Sequence, residues 1–364
     1  MVSFEKEPYS EVFNESNSDG LSICRLLHET DFYSVVKHIE TKCYTSDSSH
    51  FRYSPEFMVK LVVLRAFRGQ SFRKTIASLT TKDCKLLSAP KRNGHYLIPS
   101  PSTLHHFMRY RLDEKFFEEI IRIAGAQLAR LSGEKDGIID STPLEASRYD
   151  RYADFNTHYN CKMYKGHIFH LGNYPIALVF SDGNDHDSTK VSDLLNRISG
   201  IPLKFSNLFA DGGYDSFQIH ADIFYHLRVI PTICVRENAV IQDEGTEKRI
   251  NHWVNKLWRN GGSIKAKINE KLRFLYENGR TETVGMYLRN QSMMDPHFEM
   301  RYGRRGDCET THSHMKSILK FDVKNIRNTS KKFYILVNFF AYQILLLGHL
   351  QNGILPVQQF ALYY

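Results

Sequence analysis

Four residues within RYGRRGDCETTHSHMKSILK, residues 301–320, have the types and spacing to act together. They are Tyr302, Arg305, Glu309 and Lys316, in the order Tyr-x2-Arg-x3-Glu-x6-Lys. On a helix of about 3.6 residues per turn, Arg305, Glu309, His312 and Lys316 recur every three or four positions and share one face. A carboxylate flanked by two cations suits a metal ion held beside a phosphate. The same spacing also describes an ordinary solvated face with i,i+4 ion pairs, so the stretch gains weight only from partners elsewhere in the chain.

Two upstream motifs supply such partners: GIIDSTPLEA with Asp140, and NLFADGGYDS with Asp211. Each aspartate follows a short apolar run and precedes turn residues, which predicts the end of a buried strand. Ligands of sheet-based folds gather at strand ends. Two strand-end aspartates and a helix-borne glutamate make an all-oxygen site suited to Mg²⁺ or Mn²⁺. Two such ions roughly 4 Å apart activate a water or hydroxyl and stabilise the leaving oxygen in phosphodiester cleavage.

At these residues the sequence resembles insertion-sequence transposases of the DDE type, with a ribonuclease-H-like core and a Tyr-Arg-Glu-Lys signature. Asp140, Asp211 and Glu309 match the three acids, Tyr302, Arg305 and Lys316 the rest of the signature, and Gly213 and Tyr214 the block after the second aspartate. The similarity spans roughly residues 51–350. It implies Mg²⁺ or Mn²⁺, two per active site, held by Asp140, Asp211 and Glu309. Arg305 and Lys316 would grip phosphates and Tyr302 would position a strand. The implied activity is endonucleolytic cleavage of transposon ends and strand transfer into double-stranded target DNA, by a homodimer when bound to DNA. Two alternatives stay open: a DNA-binding protein with an unused or degraded site, and a ribonuclease-H-like nuclease without joining activity.

Composition is compatible with this. A chain of 364 residues can bury a sizeable core and form two or three domains. The net charge of +8 is uneven. Residues 1–50 carry 4 basic and 9 acidic side chains, whereas residues 51–133 carry 15 and 6, a local net of +9 where a polyanion such as DNA is expected. The start, MVSFEKEPYSEVF, has no apolar signal-peptide core, and the six cysteines form no CxxC pair, so a cytoplasmic protein with reduced thiols is expected.

The elements that must position these residues are legible in outline. Residues 1–50 form an acidic segment and 51–133 a helical domain. PEFMVKLVVLRAFRG is bracketed by Pro55 and Gly69, SFRKTIASLTT follows, and a short and a long helix occupy residues 100–133. The helix with His105, His106, Arg109 and Arg111 resembles a helix-turn-helix-type arrangement, so His105, Arg109 and Arg111 are candidate DNA contacts. A plain helical bundle with a basic surface is the alternative. GEKDG marks the boundary, after which the expected fold is a ribonuclease-H-like α/β core. A mixed five-stranded sheet with flanking helices is expected over 134–236 and 301–350. Asp211 and Glu309 lie 98 positions apart, so 237–300 reads as an insertion, with β-like runs near TETVGMYLRN. In the resembling family an insertion here contacts transposon-end DNA. Trp253 and Trp258 could stack on a base, although anchoring the insertion to the core is the commoner use of Trp. KKFYILVNFFAYQILLLGHL, 331–350, is long enough to span a bilayer, but Asn338, Gln343 and His349 favour a buried core helix and no membrane. Residues 351–364 form a tail.

Other residues compete less well. Asp182, Asp185 and Asp187 lie in a turn-rich run where capping is expected, with Asp187 capping the next helix and Asp215 the one after. Asp150 and Asp154 displace none of the three acids. Asp307 lies about 200° from Glu309 around a helix and should point elsewhere. The near pairs His158/Cys161, His167/His170 and His312/His314 do not have the spacing of a structural zinc site. No Walker motif, GxGxxG or GxSxG occurs.

Overall fold

The computed structural model describes residues 22–43, 52–235, 264–323, 328–354, 360 and 363. Two short helices, α1 (Ile23–Glu29) and α2 (Tyr33–Cys43), lead to α3 (Pro55–Arg68). The limits of α3 follow from its end residues. The Ser54 hydroxyl accepts the Phe57 N–H, Pro55 fills the first turn, and Gly69 closes the helix at φ 58°. Hydroxyl caps also start the next helices: Ser71 for α4 (Phe72–Ala77), Thr80 for α5 (Thr81–Leu86) and Ser100 for α6 (Pro101–His106). A hairpin of β1 (Lys91–Arg92) and β2 (His95–Tyr96) separates α5 from α6. A π-helical turn, Phe107–Arg111, then precedes α7 (Glu114–Ser132), capped by Asp113.

The sheet is built around β3 (Asp136–Glu145). It pairs antiparallel with β5 (Cys161–Leu171) and parallel with β7 (Asn207–Ala210). Strand β7 in turn pairs parallel with β8 (Pro231–Ile233). The other edge of β5 carries β6 (Tyr174–Asp182), with the short β4 (Asp154–Asn156) beside its first residues. Helix α8 (Val191–Ile198) links β6 to β7, and α9 (Phe217–Leu227) links β7 to β8. Three antiparallel strands followed by two parallel ones reached through helices are the ribonuclease-H-like order. Strand β4 adds a sixth, three-residue strand to the five expected.

Residues 264–300, the described part of the stretch read as an insertion, are mainly helical. Helices α10 (Ile264–Glu277), α11 (Thr281–Met293) and α12 (Phe298–Tyr302) precede α13 (Asp307–Leu319) and α14 (Asn328–Gln351). The β-like reading of TETVGMYLRN is therefore corrected to α11. Its β-branched residues express only a weak preference, which packing overrides. Val284 and Leu288 share a helix face and form a buried cluster with Ala221 and Phe224 of α9. Gly285 allows the close approach, since a Cβ there would lie 1.8 Å from the Phe217 carbonyl oxygen. Trp253 and Trp258 lie outside the described residues.

Helix α14 joins the two halves of the molecule. It packs on α7, α3 and β6, and Phe333, Phe339, Phe340, Ile344 and Leu347 are buried. The span Lys331–Gln351 is long and apolar enough to cross a bilayer, but 83% of its apolar window is buried inside the fold. Gln343 donates to the carbonyls of Pro175 and Ile176, at 3.0 and 3.1 Å, and so occupies part of the open edge of β6. Near its start the buried Lys331 ammonium lies 2.6 and 2.5 Å from the two Asp150 carboxylate oxygens and 2.7 Å from the Tyr164 hydroxyl. One continuous apolar core runs from Ile23 through the helices and sheet to Tyr363.

Candidate active site

Strand register brings the first two acids together. Ile138 pairs with Phe209 and Ile139 with Ala210 across the parallel β3–β7 contact. Asp140 and Asp211 are the next residues on each chain, so they stand side by side on strands about 4.8 Å apart. Because side chains alternate, Asp140 shares a face with Ile138, and Asp211 leaves β7 in line with Phe209. Cys308 of α13 packs on that Ile138–Phe209 pair, which seats α13 over the same face.

The 301–320 stretch is not one helix. It is α12, a 3₁₀ turn over Gly303–Gly306, and then α13. Even so, Arg305 at the turn gathers all three acids. Its Nη2 lies 3.4 Å from Asp140 Oδ1 and 4.0 Å from Asp211 Oδ2, and its Nη1 lies 3.6 Å from Glu309 Oε1. The carboxylates are held unequally. Asp140 is walled in, with 8% of its side chain exposed, against 36% for Asp211 and 64% for Glu309. Asp211 is oriented by the Gly213 N–H, which donates to its Oδ1 at 2.8 Å. Burial pushes the Asp140 carboxyl above its usual range, against the opposing pull of Arg305.

Three carboxylates around one guanidinium leave negative charge uncompensated. The donors are hard oxygens of the kind that hold Mg²⁺ or Mn²⁺, so the residues present fit such ions.

Tyr302 and Lys316 lie to either side of this centre along the chain. Tyr302 stacks on Phe298 with ring centroids 5.7 Å apart. Burial pushes its phenol up to about 12, with Arg305 opposing, so it stays protonated at neutral pH. Lys316 sits further along α13, where burial lowers its ammonium and Asp322, Glu145 and Cys161 oppose the shift. His312, on the turn between Glu309 and Lys316, points inward: its Nε2 is 3.0 Å from Nε2 of His170, and both rings are buried. Asp307 pairs with Arg304, not Arg305, as its angular position predicts.

The candidates of the helical region all have partners within the protein. The His105 ring meets Phe72 edge-on, and the Arg109 guanidinium lies 4.8 Å from the Phe333 ring centre. Arg111 donates to the Cys43 carbonyl at 2.9 Å.

Two expected helix caps have other partners. Asp187 accepts from Ser141 Oγ at 3.0 Å and Lys165 Nζ at 2.9 Å, so it braces the residue next to Asp140. Asp215 binds Arg289 of α11 at 2.6 Å, while Ser216 caps α9. Both sit in runs of turn-forming residues, whose composition hides long-range partners. Cys308 gave no spacing signal at all. Its place under Asp140 follows only from how α13 docks.

The model of the transposase DDE domain matches residues 131–344, from the end of α7 into α14. The chain belongs to this family. Its members are enzymes that act on DNA and use divalent metal, and the oxygen-rich centre on the ribonuclease-H-like sheet of this transposase agrees with that chemistry. No curated protein resembles the chain closely enough to count as a match.

Proposed function

We propose that this transposase cleaves transposon ends and joins them to target DNA at Asp140, Asp211 and Glu309. The observation that carries the reading is the convergence of these three carboxylates on the Arg305 guanidinium. Asp140 and Asp211 would hold two Mg²⁺ or Mn²⁺ ions and Glu309 would complete the set. When bound, such a pair supplies an activated water or 3′-hydroxyl and stabilises the leaving oxygen. Asp140 and Asp211 keep a fixed mutual geometry because both are set by backbone register. Glu309, on a separate helix, adjusts as DNA arrives. Arg305 then turns from the carboxylates to a phosphate beside the scissile bond, and Lys316 holds a second, neutralising charge as phosphorus becomes pentacoordinate. Tyr302, protonated and stacked, positions the neighbouring strand.

Residues 51–133, with their net charge of +9, are the proposed contact for the transposon end, including His105, Arg109 and Arg111. A dimer pairs the two ends, and the location is cytoplasmic. The test uses a labelled end of the element and a target plasmid with Mg²⁺. Asp140→Asn, Asp211→Asn and Glu309→Gln should each lose cleavage while still shifting the end in a gel. Undiminished cleavage by any of them refutes the assignment, and cleavage without joining by the native chain makes it a nuclease.

A further inference from the structure

Beneath the proposed catalytic centre lies a second set of donors of different chemistry. Cys308 Sγ is 3.3 Å from Asp140 Oδ2, and His312 Nδ1 is 3.9 Å from the same oxygen. The three donor atoms lie within 4.8 Å of one another, and all three residues are buried. Zinc bonds of about 2.0–2.3 Å at tetrahedral angles separate ligand atoms by roughly 3.3–3.8 Å, close to this spacing. Behind His312, the Nε2 of the buried His170 lies 3.0 Å from its own Nε2. An outer partner on the second ring nitrogen is what fixes the tautomer and orientation of a metal-bound histidine. Nδ1 of His312 is thereby left free to face Asp140 and Cys308.

We propose that Asp140, Cys308 and His312 form a site for Zn²⁺ or a similarly soft divalent ion, with His170 orienting His312. A thiolate and an imidazole select zinc over Mg²⁺, which keeps to oxygen donors. The site shares Asp140 with the oxygen-rich centre but uses its other carboxylate oxygen, Oδ2, not the Oδ1 that faces Arg305. Zinc here therefore draws Asp140 away from the Mg²⁺ centre, and micromolar zinc inhibits cleavage. That consequence rests on the proposed cleavage at Asp140, whereas the site itself does not.

The test begins with the full chain, stripped of metal and titrated with Co²⁺ alone. One equivalent should produce a near-ultraviolet thiolate-to-cobalt absorption band that Zn²⁺ abolishes. Cys308→Ser should remove the band, and His312→Gln should weaken Co²⁺ binding at least tenfold. Circular dichroism checks that each variant is folded, and the histidine variant decides if the serine variant is not. Absence of the band in the native chain, or its persistence in Cys308→Ser, overturns the proposal, since Cys161 or another thiol would then be the ligand. In the cleavage assay, Cys308→Ser should require at least tenfold more Zn²⁺ for half-inhibition than the native chain. Equal sensitivity would disprove the shared-aspartate link. A thiolate band in a chain that never cleaves DNA would remove the proposed cleavage activity and uphold the site.

Discussion

Two of the charge clusters among the described residues are built differently. In one, the Lys331 ammonium lies 2.5–2.7 Å from Asp150 and Tyr164, with almost no exposure. In the other, Arg305 faces Asp140, Asp211 and Glu309 at 3.4–4.0 Å, and exposure rises from acid to acid. The first is complete: each charge has its partner, and burial makes removal of either one costly. The second is loose and over-supplied with carboxylates. Contacts of that length are easily exchanged for metal ions and phosphates. Tight pairing suits a group that holds the fold together, and slack pairing with surplus charge suits the catalytic role proposed for the second.

That contrast can be broken by experiment. The largest effect should come from the cluster proposed to be catalytic: Asp140→Asn should lower strand cleavage by on the order of 10³-fold or more. Its melting temperature should hold or rise, because a buried carboxylate with a raised pKa is relieved of its charge. A marked loss of stability would instead make Asp140 a structural residue like Asp150.

The reverse pattern is expected at the closed cluster. Lys331→Met should cost about 3–5 kcal/mol in chemical denaturation, because Asp150 is left charged and unpaired. Adding Asp150→Asn should restore part of the loss, and strict additivity of the two would show that they do not interact. Burial alone would raise the Asp150 carboxyl, but the Lys331 contact holds it below its usual range. A depressed folded-state value means that this contribution is complete above the ordinary carboxylate range, about 3.9, and fades as acid reaches the lower folded value. The acid-labile part of stability should therefore be smaller in the Lys331→Met variant.

A smaller effect tests how the insertion is held. Gly285→Val must push α11 off the Phe217 carbonyl and should cost roughly 1–3 kcal/mol. Hydrogen exchange should show the loss concentrated in α9 and α11, and uniform loosening would contradict the local contact. The smallest effect is expected at Lys316→Ala. The slope of log affinity for the DNA end against log salt should fall by about one unit, the loss of a single phosphate contact. An unchanged slope would leave Lys316 as a partner of Asp322 and Glu145 alone.

Much of this was readable from residue order. The limits of α3 at Pro55 and Gly69 and the burial of 331–350 follow from local patterns. The apolar runs before Asp140 and Asp211 do form strands, but Asp140 falls in the middle of β3 and not at its end as expected, because β5 pairs with β3 as far as Glu145. Local rules failed where a partner was remote. Asp187 and Asp215 look like caps in sequence, yet Lys165 and Arg289 claim them across 22 and 74 positions. TETVGMYLRN has β-branched residues, yet becomes a helix because α9 offers a complementary face. Cys308 and His170 acquire meaning only once α13 lies on β3, since no spacing in the chain links positions 140, 170 and 308. The order of Asp140, Asp211 and Glu309, and the place of His312 on their helix, were therefore legible in the chain, whereas the approach of Cys308 and His170 was not.

Helix α14 has a consequence for the order of events during synthesis. It follows, in the chain, every helix and strand that it covers. Until the ribosome has released it, the apolar sides of α3 and α7 and the rim of β6 have nothing to close against. The nascent chain thus carries sticky surface through most of its translation, and its final compaction waits on one late segment. A truncation before residue 328 should leave those surfaces open to proteases and to aggregation, although Asp140, Asp211 and Glu309 would all still be present.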